Sequence, residues 1–292
     1  MRRTLSIFLA VSAICFLLSG CMTSQGYYQD DLPDAAPEEK TLLSPEHSLP
    51  TEAEPVPTPE AIPTPEPVPE RYEFGVPLEA SEPLTDDSYF ENAVFLGDSR
   101  TEGLELFGGL KNGTFYWARG MTVFYADDVD GHSIFDVDGE QLTLVGTLSK
   151  RSYDAVYIMI GVNELGYTVE QYEDGLRTLI DKVLAAQPDA VVYLQIMPPV
   201  NDAVCQKSGL AYYINNDNIK QFNDVIIRVA EEKQVVLLNT AEAYTGEDGQ
   251  LPAELASDGC HFAYSAYSLW ADYLRTHIID KDLYFSSRAQ KN

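Results

Sequence analysis

The chain has 292 residues, with 46 Asp or Glu against 19 Lys or Arg, and a formal net charge of −27. Nothing basic is clustered, which argues against nucleic acid and anionic surfaces as partners, and the acidity reads as a solubility feature. Four cysteines occur without a Cys-x-x-Cys pair, so structural zinc has no support, and no cofactor or metal is expected.

Residues 1–20 carry Arg2 and Arg3 and then an apolar run from Leu5 to Leu18. A run of about fifteen residues is short for a bilayer span and fits the core of a signal peptide. It ends in Leu18-Ser19-Gly20-Cys21, which resembles the bacterial lipobox. That resemblance implies a lipidated Cys21 and an extracytoplasmic protein anchored to the bacterial cell membrane. The alternative is an ordinary signal peptide that happens to contain a cysteine.

Residues 21–87 are expected to form a disordered acidic spacer. From 22 to 87 lie 13 of the 17 prolines, and 16 acidic residues against Lys40 and Arg71. Such a composition buries too little apolar surface to order itself. Its alternating prolines favour an extended chain of about 3.1 Å per residue. Within it, Gly75 to Ser88 reads as a short adaptor that begins to pack.

Residues 88–292 are long enough for one core of ordinary size. The first strand is read at Ala93–Leu96, ending at Gly97-Asp98-Ser99. Two readings of Ser99 compete: a helix cap, or a nucleophilic hydroxyl exposed where backbone N–H groups point at a developing anion. A second strand at Phe115–Ala118 runs toward Gly120, whose N–H is a candidate donor to an oxyanion. The run Asp127-Asp128-Val129-Asp130-Gly131 hints at a calcium loop, but Ala126 and Val137 stand where ligands are required. Ile134–Val137 and Gln141–Val145 flank Asp138-Gly139, which suggests an inserted hairpin.

Ala155–Ile160 is the strongest strand, and Gly161-Val162-Asn163-Glu164 comes directly after it. Asn163 is either a turn residue or an amide donor to an oxyanion. A helix is expected over 167–187, capped by Thr168 and stopped by Pro188, with Tyr172, Leu176, Leu179, Ile180, Val183 and Leu184 on one face. A strand at Val191–Ile196, a helix over 215–233 and a strand at Val235–Leu238 come next. The last helix is expected over 265–279, with Leu269, Trp270, Tyr273, Leu274 and Ile278 on its buried stripe. Before it, Asp258-Gly259-Cys260-His261 places a carboxylate and an imidazole three residues apart in a Gly-containing loop. The competing reading makes Asp258 a helix cap and His261 incidental. His132 and His277 have no evident partner or sit among apolar neighbours. Cys205 and Cys260 are left either free or paired.

Strands that are apolar on both faces and alternate with helices predict a three-layer α/β/α sandwich with a parallel sheet. In such sheets sites form beyond the carboxyl ends of the strands, so Ser99, Gly120 and Asn163 share one rim. Order and spacing fit acyl transfer through a serine.

At these residues the chain resembles the SGNH/GDSL hydrolase superfamily. The first block is Gly97-Asp98-Ser99-Arg100-Thr101-Glu102-Gly103, the second Gly120, the third Gly161-Val162-Asn163-Glu164 and the last Asp258-Gly259-Cys260-His261. The resemblance covers about residues 91 to 280. It implies a five-stranded flavodoxin-like sheet, and a triad of Ser99, Asp258 and His261. It also implies oxyanion donors at the N–H of Ser99, the N–H of Gly120 and the Asn163 amide. Glu164 departs from the usual Asp. Arg100 departs from the usual apolar residue, and is expected to face solvent, pair with Glu102, or face the cleft. The implied activity is that of a serine esterase acting on an acylated small molecule or carbohydrate, with O-acetylated envelope carbohydrate as the first substrate class. An acyltransferase and a non-catalytic binding lipoprotein are the rivals. Trp117, Tyr212 and Tyr213 are either sugar-stacking groups or core.

Overall fold

The computed structural model of the protein describes residues 71–127 and 135–289. The expected leader, Cys21, the spacer up to residue 70, His132 and most of the calcium-like run lie outside the described residues.

Five parallel strands form the main sheet. They are β1 (Ala93–Gly97), β2 (Thr114–Trp117), β5 (Ala155–Met159), β6 (Val191–Gln195) and β7 (Val236–Leu238), in the order β2-β1-β5-β6-β7. Strands β3 (Phe135–Val137) and β4 (Glu140–Leu142) pair antiparallel in the expected hairpin. Its turn places Asp138 at φ 56° and Gly139 at φ 81°, as a tight two-residue connection requires. The stretch read as the end of the second hairpin arm instead continues into a short helix, α2 (Leu144–Thr147), which Thr143 caps.

Alternation along the strands divides the interior into two cores. Val94, Leu96, Val156, Ile158, Val192, Leu194 and Leu237 face α3 (Val169–Ala186) and α5 (Asn216–Lys233). Phe95, Tyr157, Tyr193, Val236 and Leu238 face α1 (Ser99–Phe107), α6 (Tyr267–Thr276) and α7 (Lys281–Ala289). On this second face, register partners on adjacent strands stack as one column. Ring centroids are 4.6 Å apart for Phe115–Phe95, 4.8 Å for Phe95–Tyr157 and 4.4 Å for Tyr157–Tyr193. Such cross-strand aromatic contacts fix strand register beyond what area burial alone provides.

Helix α3 begins at Thr168, whose hydroxyl accepts from the Gln171 N–H while the Gln171 side chain returns to the Thr168 N–H. Asn215 caps α5, its side chain accepting from the Asn218 N–H. Helix α6 starts two residues later and ends three residues earlier than the sequence pattern suggests. Its buried residues are Tyr267, Trp270, Ala271, Tyr273 and Leu274, while Leu269 is exposed, because the buried face centres on Tyr267, Trp270, Ala271 and Leu274 and position 269 lies about 200° around the helix from Tyr267. Helix α7 and the short α4 (Asp202–Lys207) were not expected.

Upstream of residue 88, packing involves the segment read as an adaptor from Gly75 and begins ahead of it, at Tyr72 and Phe74. Tyr72 and Phe74 are buried, and Pro77 bridges Leu237 in parallel on the outer edge of β7. The Leu78 N–H donates to Leu237 O at 2.9 Å, and the Leu237 N–H donates to the Tyr72 hydroxyl at 3.0 Å. Asp87 receives both forks of Arg275, which hold its carboxyl below the ordinary range. Two aromatic anchors and a partly buried ion pair order this segment in spite of its acidic, Pro-containing composition.

Candidate active site

The sheet order places β1 and β5 side by side with their onward connections running to opposite sides. This is the switch point where a crevice opens beyond the strand ends in an open α/β sheet. The loop after β1 carries Asp98 and Ser99, and the loop after β5 carries Asn163 and Glu164. No side chain fits at Gly97. A Cβ there would lie 2.0 Å from Thr101 Oγ1 and 2.7 Å from the Met159 carbonyl. The strand therefore turns directly into α1. Asp98 caps that helix by accepting from the Arg100 N–H at 2.8 Å, so the capping role belongs to Asp98 and leaves the Ser99 hydroxyl free for another partner.

That partner is His261. Ser99 Oγ lies 2.8 Å from His261 Nε2, and His261 Nδ1 lies 2.8 Å from Asp258 Oδ2. The other Asp258 oxygen accepts the N–H groups of Cys260 at 2.9 Å and His261 at 2.7 Å. Burial works against the charge on Asp258, but these N–H donors and the ring outweigh it and hold its carboxyl below the ordinary value. Gly259 takes φ +99° and packs against α4, where a Cβ would meet Cys205 N at 2.3 Å. Asp258 caps no helix.

The groups surround a cleft of about 540 Å³. Ser99, Asp258, His261, Gly120 and Asn163 all line it, so every residue assigned to the site from the sequence reaches one cavity. Gly120 has φ +76° with open space around its Cα, and its N–H has no acceptor among the described residues. Asn163 is less free. Its Nδ2 donates to Met121 O at 2.9 Å and to Asp98 Oδ2 at 3.2 Å, which engages both amide hydrogens.

Glu164 is fully buried, and its Oε1 accepts the Val123 N–H at 2.7 Å. It thus ties the loop that comes after Gly120 to the loop of Asn163. Its other oxygen has no partner among the described residues. Burial pushes its carboxyl up to about 8, with nearby Asp98 adding to the shift and the Val123 N–H opposing it.

Arg100 takes none of the three expected positions. It is 1% exposed, and its guanidinium donates to the carbonyls of Cys260 and Pro198. Glu102 pairs instead with Arg119 through both oxygens at 2.6 Å on the cleft rim, which holds the Glu102 carboxyl below its ordinary value. Trp117, Tyr212 and Tyr213 do not line the cleft. Its aromatic wall is Phe107, Phe262, Tyr264 and Tyr267, with the Phe107 and Tyr264 rings 4.5 Å apart. Sequence reasoning missed this wall because its rings come from two stretches far apart in the chain, the end of α1 and the segment that leads from Phe262 into α6, and neither carries a local pattern. Cys205 and Cys260 are both buried and free. Among the described residues no group of His, Cys, Asp and Glu is placed to hold a metal ion.

A parallel α/β/α domain with a hydroxyl, an imidazole and a carboxylate in line at its switch point has the architecture of an ester hydrolase. Residues 95–269 match the GDSL-like lipase/acylhydrolase family, and the chain belongs to that family. Membership supports ester hydrolysis in general terms. The fold is shared with a Streptococcus pneumonia protein named for platelet activating factor. The identity is 24%, over 63% of this chain and 82% of that one, with a TM-score of 0.50. A GDSL-like lipase from Bacteroides thetaiotaomicron is 14% identical over 73% of this chain and 93% of its own, with a TM-score of 0.44. The lipase/acylhydrolase from Enterococcus faecalis is 18% identical over 63% and 93%, also at 0.44. No curated protein matches the chain.

Proposed function

We infer that the protein is a serine esterase in which Ser99 is the nucleophile, His261 the general base and Asp258 the residue that orients the imidazole and stabilises the positive charge it gains. The observation that carries this reading is the unbroken line Ser99–His261–Asp258, with both links at 2.8 Å. His261 Nε2 takes the Ser99 proton as Oγ attacks the ester carbonyl, and later returns it to the leaving alcohol. Water attacks the acyl-enzyme by the same path. The Ser99 and Gly120 N–H groups and the Asn163 amide hold the oxyanion. For Asn163 to donate, one amide hydrogen must leave Met121 O or Asp98 Oδ2, and the longer bond to Asp98 is the easier to release.

O-acetyl groups on envelope carbohydrate are the substrate class we propose, with the protein held at the outer face of the cell membrane through a lipidated Cys21. An open cleft with an exposed aromatic shelf, formed by Phe107 and Tyr264, supports a sugar-bearing alcohol. The lipobox-like sequence supports the location.

The test is labelling by a fluorophosphonate, then acetate release from p-nitrophenyl acetate and from O-acetylated polysaccharide. Wild-type protein is expected to label and to release acetate. Ser99→Ala is expected to lose labelling and to lower turnover by ~10⁴-fold or more. A well-folded wild type that neither labels nor turns over defeats the reading. Acetate transfer to an added sugar in place of release to water redirects it to an acyltransferase.

A further inference from the structure

We propose that Arg100 is a positioning residue for the base: it fixes the peptide between Cys260 and His261, and so aims the imidazole at Ser99. This rests on the reading of Ser99 and His261 as nucleophile and base. A guanidinium is expensive to bury unless its donors are engaged. Here Nε and Nη2 converge on Cys260 O at 3.2 and 3.0 Å, and Nη1 reaches Pro198 O at 3.4 Å. The guanidinium carbon lies 5.4 Å from the centre of the Phe262 ring, a cation–π distance. Asp98, also buried, is the opposite charge in the neighbourhood: burial raises its carboxyl, and the attraction of Arg100 opposes that rise.

The carbonyl that receives the fork belongs to the peptide that most needs holding. At the other end of that peptide, the His261 N–H donates to Asp258 Oδ1 at 2.7 Å. The plane is pinned through its oxygen by Arg100 and through its nitrogen by Asp258. What remains free is the His261 side chain, and its two nitrogens are set by Asp258 Oδ2 and Ser99 Oγ. Ser99 and Arg100 are consecutive at the start of α1, and Cys260 and His261 are consecutive on a distant loop, so one dipeptide grips the other. Displacing a catalytic group by about 1 Å costs ~10²-fold in rate. Arg100 is absent from the cleft lining, so its effect reaches substrate only through His261.

The experiment compares wild type, Arg100→Met and Arg100→Lys in kcat and KM on p-nitrophenyl acetate. The proton NMR resonance of the hydrogen between His261 and Asp258 is tracked in each. Arg100→Met is expected to lower kcat by ~30–100-fold with KM within about two-fold, and to shift or broaden that resonance. Arg100→Lys is expected to regain part of the loss, because one ammonium reaches a carbonyl without forming the fork. A folded Arg100→Met with wild-type kcat and an unmoved resonance overturns the proposal, as does a rise in KM at constant kcat. Should Arg100→Met fail to fold, Arg100→Lys with wild-type kcat and resonance overturns it equally. Absence of activity in the wild type defeats the esterase reading, while the resonance still decides whether Arg100 positions His261.

Discussion

Glu164 carries an unusual load for one side chain. Unfolded, its carboxyl titrates near its ordinary 4.5, and folded near 8. Between those values the unfolded chain has released a proton that the fold keeps. Each step up in pH therefore favours unfolding, and this contribution to stability, complete below about 4.5, is lost as pH passes 8. Glu164→Gln retains an acceptor for the Val123 N–H and removes the titration. Denaturant melts at pH 5 and pH 8.5 are expected to show wild type losing up to several kcal/mol relative to the variant at the higher pH. A constant difference across that range refutes this account. Asn163→Ala is expected to lower kcat by ~10²–10³-fold, measured on the same ester as Ser99→Ala. The sequence exposed Ser99, Asn163, Asp258 and His261 because each sits in a short local pattern. It concealed the place of Arg100, since nothing near residue 100 encodes a carbonyl 160 residues away.

At the scale of the element, the turn from β1 into α1 is the part least tolerant of change. Gly97→Ala adds a Cβ against the Thr101 side chain and the backbone carbonyl of Met159, and only the first can move. A loss of about 1–3 kcal/mol is expected by thermal or chemical melts, with kcat reduced because Ser99 rides on the displaced turn. The five strands were legible because each is a short β-branched or aromatic run that is apolar on both faces. The caps of α3 and α5 were equally legible, since Thr168 and Asn215 carry the hydroxyl and amide that helix starts require. Leu269 was misplaced because Tyr267 and Ala271 share the buried face with Trp270 and Leu274, which centres that face away from position 269. The short α4 escaped notice because six residues give too little periodicity to detect.

For the whole molecule, the segment ahead of β1 matters more than its composition suggested. Residues 72–78 occupy the outer side of β7 and satisfy both the N–H and the carbonyl of Leu237, an edge that otherwise invites pairing with another chain. A chain that starts at residue 88 is expected to be less stable than one that starts at 71. The lost burial of Tyr72 and Phe74 alone amounts to about 3–6 kcal/mol. Equal melting temperatures for the two chains contradict this. The two free thiols among the described residues, Cys205 and Cys260, carry a different consequence. Burial pushes Cys205 up to about 11 and raises Cys260 as well, so little thiolate is available while the fold holds. Iodoacetamide will therefore leave the native protein largely unmodified and alkylate both sulfurs once the α4–Gly259 contact opens. The uptake of label becomes a built-in clock for unfolding beside the loop of His261, readable by mass spectrometry without an engineered cysteine.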